Sequence, residues 1–221
     1  MTIAAVILAG GRGSRLGGAD KARVRIEGQT LLARAITAAR DCGCASITVA
    51  GPRRDRNGPD ESVLDGFGHD ESGRDGMDGA SDAVAWVRED PPFTGPAAAL
   101  VAALAAADPA AASAEWTLVL ACDLVHPALA AAQLTRDLPL LPDDTDGLCL
   151  ADGSGRPQWL TGLYRTGPLR EAASALPDAG RDAAVRTLMA DLAIAVVRAA
   201  PEAIADIDTW DDLREWKGTT T

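Results

Sequence analysis

The chain has 221 residues, of which 47% are apolar and only 4% aromatic, and it carries a formal net charge of −11. That length fits one α/β domain with a substantial core, built here from Ala, Leu, Val and Ile. The acidic balance opposes general nucleic-acid binding, which needs a basic face and aromatic platforms, and the longest apolar run, Pro96 to Ala107, has 12 residues against the roughly 18 of a membrane span.

In chain order, the apolar run Ile3-Ala4-Ala5-Val6-Ile7 predicts a buried strand, and Leu8 to Lys21 follows as a glycine loop. Five glycines between Gly10 and Gly18 let the backbone turn with positive φ and aim main-chain N–H groups at anionic oxygens. Arg12, Arg15 and Lys21 add full charges inside that loop. Lys21 is one of only two lysines in a chain with 21 Lys plus Arg, a compact ammonium where a guanidinium is the habit. Residues 1 to 56 hold ten basic against four acidic residues, a balance of +6, whereas the remainder carries −17. Positive charge is therefore concentrated around the loop, and Arg23, Arg25, Arg34 and Arg40 read as solvated surface. The spacing fits neither G-x-G-x-x-G opening a helix nor Gly-Lys-Ser/Thr after four intervening residues.

Thr30 predicts a helix cap, with Leu31, Leu32, Ala35, Ile36 and Ala39 on one apolar face through about Asp41. Ser46 to Ala50 predicts the next strand. Gly51 to Asp82 is rich in Gly, Asp, Arg, Pro and Ser and predicts a mobile acidic insertion. Ala83 to Arg88 reads as a short strand, Gly95-Pro96 as the start of an alanine-rich helix through Ala107, and Trp116 to Ala121 as a central strand with Asp123 emerging at its carboxyl end. The whole predicts a Rossmann-like, doubly wound α/β fold, a mainly parallel sheet with helices on both faces, in which ligands bind at strand carboxyl ends. Cys42, Cys44, Cys122 and Cys149 form no C-x-x-C pair and read as reduced, mostly buried thiols. The N-terminus lacks a charged lead and apolar block, so the expected location is the cytoplasm, with no membrane partner. Asp123 is the magnesium candidate, because a hard oxygen ligand can hold that ion together with phosphate oxygens; a helix cap before Pro127 is the structural alternative. His126 reads as a loop residue.

Leu8-Ala9-Gly10-Gly11, Arg15-Leu16-Gly17-Gly18 and Asp20-Lys21 resemble L-A-G-G-x-x-x-R-[ML]-G-G-x-D-K, the loop of the molybdenum cofactor guanylyltransferases, MobA-like members of a larger nucleotidyltransferase family. Further segments extend the resemblance over nearly the whole chain, 1–221, as one domain of the nucleotide-diphospho-sugar transferase type. Cys122-Asp123 with Pro127 is similar to C-D-x-P, with two more residues before the proline. Glu89-Asp90 with Gly95-Pro96 resembles E-D-x-x-x-x-G-P-L-A-G, with Ala97 and Ala99 in place of Leu and the last Gly. Gln158-Trp159-Leu160-Thr161-Gly162-Leu163-Tyr164 resembles Q-P-L-x-G-L-Y beside the acceptor pocket, with Trp159 in place of Pro. Asp206-Ile207-Asp208-Thr209 resembles N-I-N-T. The asparagine that usually follows the second strand has no counterpart in Val49-Ala50-Gly51-Pro52.

The resemblance implies GTP as substrate, Mg2+ as cofactor, and in-line attack by the phosphate monoester of a molybdopterin-type acceptor on the α-phosphate. Leu8, Ala9, Gly10 and Gly11 would hold the nucleotide, Asp90 its guanine side, Arg15 and Lys21 the leaving pyrophosphate, and Asp123 the magnesium. Asp206 and Asp208 would complete the metal or substrate shell, Asp208 equally an N-cap. Transient contact with other molybdenum cofactor enzymes is the implied protein partnership. Two alternatives stay open: a CTP-dependent molybdopterin cytidylyltransferase, whose loop typically reads A-A-G, or another small-molecule nucleotidyltransferase, and a catalytically idle nucleotide-binding or interaction module.

Overall fold

The computed structural model describes residues 1–10, 20–52, 84–207, 209 and 212. Nine strands and six α-helices are formed among them: β1 (Ile3–Leu8), β2 (Arg25–Ile26), β3 (Gln29–Thr30), α1 (Leu31–Asp41), β4 (Ser46–Ala50), β5 (Val84–Val87), α2 (Pro96–Ala105), α3 (Pro109–Ser113), β6 (Trp116–Ala121), α4 (Pro127–Asp137), β7 (Gly147–Ala151), β8 (Pro157–Arg165), α5 (Thr166–Ala175), α6 (Val185–Leu188) and β9 (Ile194–Arg198). Seven strands form one sheet in the order β5-β4-β1-β6-β8-β7-β9. Every neighbouring pair is parallel except the two made by β8, so β8 alone runs backwards. The α/β architecture expected from the alternating elements is the one observed.

The central strands are buried on both faces because successive residues, which point to opposite faces, are apolar alike. Ile3, Ala5 and Ile7 of β1 and Trp116, Leu118 and Leu120 of β6 pack with Leu32 and Ile36 of α1 and Leu134 of α4. Val6, Leu8 and Val119 face the other layer, where Leu100 and Leu104 of α2 and Leu169 of α5 meet them. Thr30 caps α1 by accepting from the Ala33 amide at 3.1 Å, as the sequence predicts. Gly95 adopts φ 102° at the start of α2, with Pro96 in its first turn, a backbone state that disfavours any side chain. That helix stops at Ala105 rather than Ala107, and the strand read at 83–88 is Val84–Val87.

Ala99 is 5% exposed and packs with Leu8 and Ala50, so its methyl group fills the core beneath the sheet edge. Cys122 and Cys149 are buried, whereas Cys42 and Cys44 are half-buried. Burial pushes the Cys44 and Cys149 thiols up to about 12. Apart from Gly51 and Pro52, the insertion expected at 51–82 lies outside the described residues. No helix among the described residues is long and apolar enough to cross a membrane.

Candidate active site

The chain leaves β1 toward β4 and β5 on one side of the sheet and later fills β6, β8, β7 and β9 on the other. The order therefore reverses between β1 and β6, and a crevice opens at their carboxyl ends, where ligands bind in open α/β sheets. The glycine loop leaves β1 at that point and Asp123 leaves β6.

Leu8 and Ala9 are 7% and 5% exposed, and their backbone is largely committed to neighbouring strands. The Leu8 carbonyl accepts from the Cys122 amide at 3.0 Å, and the Ala9 amide donates to the Ala50 carbonyl at 2.8 Å. These two residues anchor the loop, and exposed backbone begins at Gly10. Gly11, Arg12 and Arg15, to which the sequence assigns nucleotide and phosphate contacts, lie outside the described residues, as does Asp208.

Lys21 opens a short 3-10 turn, Lys21–Arg23, capped by Asp20, whose Oδ1 accepts from the Ala22 amide at 3.1 Å. The Val24 carbonyl then accepts from the Leu31 amide at 2.9 Å, tying the turn to the start of α1. Lys21 Nζ donates to Asp123 Oδ2 at 3.3 Å, with the two side chains 25% and 24% exposed. The cation and the carboxylate that the sequence places 102 positions apart thus meet at the mouth of the crevice.

The Asp123 loop is held from several directions. Its carbonyl accepts from the Ile207 amide at 3.1 Å, the Val125 amide donates to the Ala205 carbonyl at 2.8 Å, and Leu124 forms an isolated antiparallel bridge with Asp206. Beneath it, Val125 and Ile207 pack with Val24, Ile26 and Leu31 in a small cluster of their own. That cluster joins the Lys21 turn to the Asp123 loop through apolar contact. Asp206 is brought beside Asp123 through its backbone and is itself exposed.

Arg34 corrects the surface reading. Its side chain is 15% exposed, its Nε donates to the Val125 carbonyl at 3.0 Å, and its Nη1 reaches Glu27 Oε2 at 3.2 Å. The helical position of Arg34 gives no sign of this, because the partner is 91 positions away. The helix-cap alternative for Asp123 also fails: the residue at the start of α4 is His126, with no side-chain cap.

Asp90 stands at the far end of the carboxyl edge, after β5, and is exposed. Its turn is braced by Glu89 Oε1, which accepts from the Phe93 amide at 2.8 Å, and by Thr94 Oγ1, which donates to the Pro91 carbonyl at 3.1 Å. Three strand spacings, about 14 Å, separate β5 from β6 along that edge. Between them, the position of the missing asparagine has a steric reason. A Cβ on the buried Gly51 would stand 2.9 Å from the Ala9 carbonyl oxygen, so β1 and β4 converge there too closely for any side chain.

Among the described residues no group of three or more His, Cys, Asp or Glu converges as a metal-binding cluster. Asp123 instead offers a single hard carboxylate, the donor set that magnesium accepts when phosphates and waters fill its other positions.

The sequence model of the MobA-like NTP transferase domain matches residues 5–196. A probable molybdenum cofactor guanylyltransferase of Synechococcus elongatus is 36% identical over 170 residues, covering 75% of this chain and 73% of that protein. Among solved structures, the molybdopterin-guanine dinucleotide biosynthesis protein A of Archaeoglobus fulgidus superposes with a TM-score of 0.61 at 17% identity, over 100% of this chain and 98% of the other. A Mycobacterium tuberculosis protein crystallised in complex with manganese gives a TM-score of 0.58 at 21% identity, over 97% of each chain. At such identities these two likenesses are of fold.

Proposed function

Because the chain belongs to the MobA-like NTP transferase family, we propose that it is a molybdenum cofactor guanylyltransferase, transferring GMP from GTP to a molybdenum-carrying molybdopterin. The observation that carries this reading is the meeting of Lys21 and Asp123 at the crevice between β1 and β6. The name of the Synechococcus elongatus relative supports the acceptor. The whole chain, 1–221, acts as this one domain in the cytoplasm, with 51–82 as an insertion and contact with other molybdenum cofactor enzymes transient.

In this reaction an oxygen of the acceptor's phosphate monoester forms a bond to the α-phosphorus of GTP while the bond from that phosphorus to the bridging oxygen of the β-phosphate breaks. Pyrophosphate carries away the electron pair. The nucleophile is already an anion, so the protein's work is positioning and neutralising charge. Asp123 would hold magnesium, which would supply Lewis-acid neutralisation of the phosphates when bound. Lys21 holds the leaving pyrophosphate together with Arg15, and the backbone from Gly10 and Gly11 cradles the phosphates. Asp90 takes the guanine side, and the stretch of edge from Asp90 to Asp123 suits a nucleoside carrying its phosphates. Asp206, fixed to the Asp123 loop, and Asp208 border the metal or substrate. The second glycine of Leu8-Ala9-Gly10-Gly11 favours guanine over cytosine.

Equilibrium binding of GTP, CTP, ATP and UTP, each with and without magnesium, tests the nucleotide. Selective, magnesium-assisted GTP binding is expected. CTP selectivity would move the chain to the cytidylyl reaction, and no binding of any nucleotide would leave the idle module.

A further inference from the structure

Between α5 and α6 the chain crosses the N-terminal end of α2 in a strained segment, residues 177–182. Asp178, Ala179 and Asp182 adopt φ of 50°, 53° and 54°, and Gly180 among them 74°. Only glycine enters that left-handed region freely, so three side chains are held there at a cost, Ala179 above all because it has no polar group to compensate. Such strain persists where the surrounding structure over-determines the backbone, and two anchors do so here. Gly180 is buried against the first turn of α2: a Cβ on it would stand 3.4 Å from both the Ala97 carbonyl carbon and the Ala98 nitrogen, and 3.3 Å from Leu176 Cδ1. The Asp182 amide then donates to the Thr94 carbonyl at 2.8 Å. Between the anchors the Arg181 amide donates to the Asp178 carbonyl and the Ala183 amide to the Gly180 carbonyl, each at 3.1 Å, which closes the segment on itself.

What the segment grips is the turn that carries Asp90. Thr94 ends that turn and is buried, its hydroxyl donating back to the Pro91 carbonyl while Glu89 accepts from the Phe93 amide. Phe93 is itself left-handed, with φ 67°, and Arg88 Cζ lies 4.9 Å from the centroid of its ring. Asp90 is therefore braced from within by its neighbours in sequence and from outside by residues far along the chain. Because α2 follows β5, the segment stands on the same carboxyl edge of the sheet, on the face where Leu176 and Val185 pack with Leu100 and Leu104 of α2.

We propose that residues 177–182 form a strap that determines base selectivity by positioning Asp90, with Gly180 and the Asp182 amide as the positioning groups that clamp the turn 89–95. This rests on the guanine-side role proposed for Asp90 above. An ionised carboxylate accepts hydrogen bonds and donates none. The N1–H and 2-amino donors of guanine satisfy it, whereas N1 of adenine turns a lone pair toward it, so discrimination by this group depends on its being held in one place. A turn braced by its own neighbours alone swings as a unit between β5 and Gly95. The strap removes that freedom without touching the nucleotide.

The test compares the wild type with Gly180→Ala, Asp90→Ala and the double variant, reading affinities for GTP, ATP and inorganic pyrophosphate by calorimetry with magnesium. Gly180→Ala sets a methyl group against α2 and Leu176 and lifts the strap. Expected are a preference for GTP over ATP lowered about five- to tenfold, the scale of one lost hydrogen bond, and a pyrophosphate affinity within about twofold of wild type. The double variant should discriminate no less than Asp90→Ala, since the strap acts through that carboxylate. An unchanged preference, an equal fall in pyrophosphate affinity, or additive losses in the double variant overturns the proposal. Should Gly180→Ala not fold, Leu176→Ala, which withdraws the side chain beside Gly180, carries the same comparison. If the wild type shows no preference for GTP, the function proposed above fails separately, and amide hydrogen exchange decides the strap. Faster exchange of the Phe93 and Asp182 amides in Gly180→Ala, with β6 unaltered, supports it, and unchanged exchange at both overturns it.

Discussion

Lys21 Nζ lies 3.3 Å from Asp123 Oδ2, with both side chains about a quarter exposed. A pair so open to water contributes at most about 1 kcal/mol to folding, too little to explain why a rare lysine stands there. Its consequence is positional: a cation and a hard carboxylate are delivered to one point of the crevice by two elements that share one apolar cluster. Chemical denaturation of Lys21→Met should accordingly give an unfolding free energy within about 1 kcal/mol of wild type. A loss of several kcal/mol would make the pair structural.

Arg34 braces the loop that carries Asp123 through the Val125 carbonyl. Arg34→Ala should cost about 1–3 kcal/mol of stability by leaving that acceptor unpaired. It should also weaken Mn2+ binding, read by electron paramagnetic resonance, although Arg34 is no ligand. Unaltered Mn2+ affinity would show that the loop holds its shape without it.

Gly51 lies where β1 and β4 close upon each other, with the Ala9 carbonyl oxygen 2.9 Å from the place a Cβ would take. Gly51→Ala should lower stability by about 1–3 kcal/mol through overpacking. GTP affinity should fall with it, because Ala9 is the last anchor of the glycine loop. A thermal midpoint equal to wild type would show that the edge relaxes freely.

Asp108 caps α3, its Oδ1 accepting from the Ala111 amide at 2.7 Å and its Oδ2 from Ser46 Oγ at 2.9 Å. The Ala111 amide, followed by the Ser46 hydroxyl, holds this carboxyl below its usual range. A lowered folded value means that the contribution is fully present above the unfolded value near pH 4 and is lost as pH falls through the folded one. Asp108→Ala should therefore cost about 1 kcal/mol at pH 7, and the gap between variant and wild type should shrink below about pH 4. A gap independent of pH would contradict the charged cap.

Local patterns carried the elements whose causes are local. Thr30 with its apolar stripe reads directly as a capped helix, and Trp116 to Ala121 as a buried strand, because period and capping depend on neighbours in sequence. The meeting of Lys21 and Asp123 was legible through the motifs that hold them and through the rule that sites lie at strand carboxyl ends. What stayed hidden depends on distant partners. Arg34 reads as surface until Val125 arrives beneath it, and Gly51 reads as a lost asparagine until Ala9 shows that no side chain fits. The register shift between Cys149 and Leu150 of β7, beside the buried ring of Tyr164 that lies against Gly147 and Gly162, is announced by no strand pattern.

Pyrophosphate release from GTP in the presence of molybdopterin, measured for wild type, Asp123→Asn and Lys21→Gln, tests the proposed chemistry most directly. Wild type should release pyrophosphate only with acceptor and a divalent cation, and each variant should lose about 10²-fold or more in rate, on the order of 3 kcal/mol of transition-state stabilisation. Turnover near wild type in either variant would contradict the assignment of the charge work to this pair.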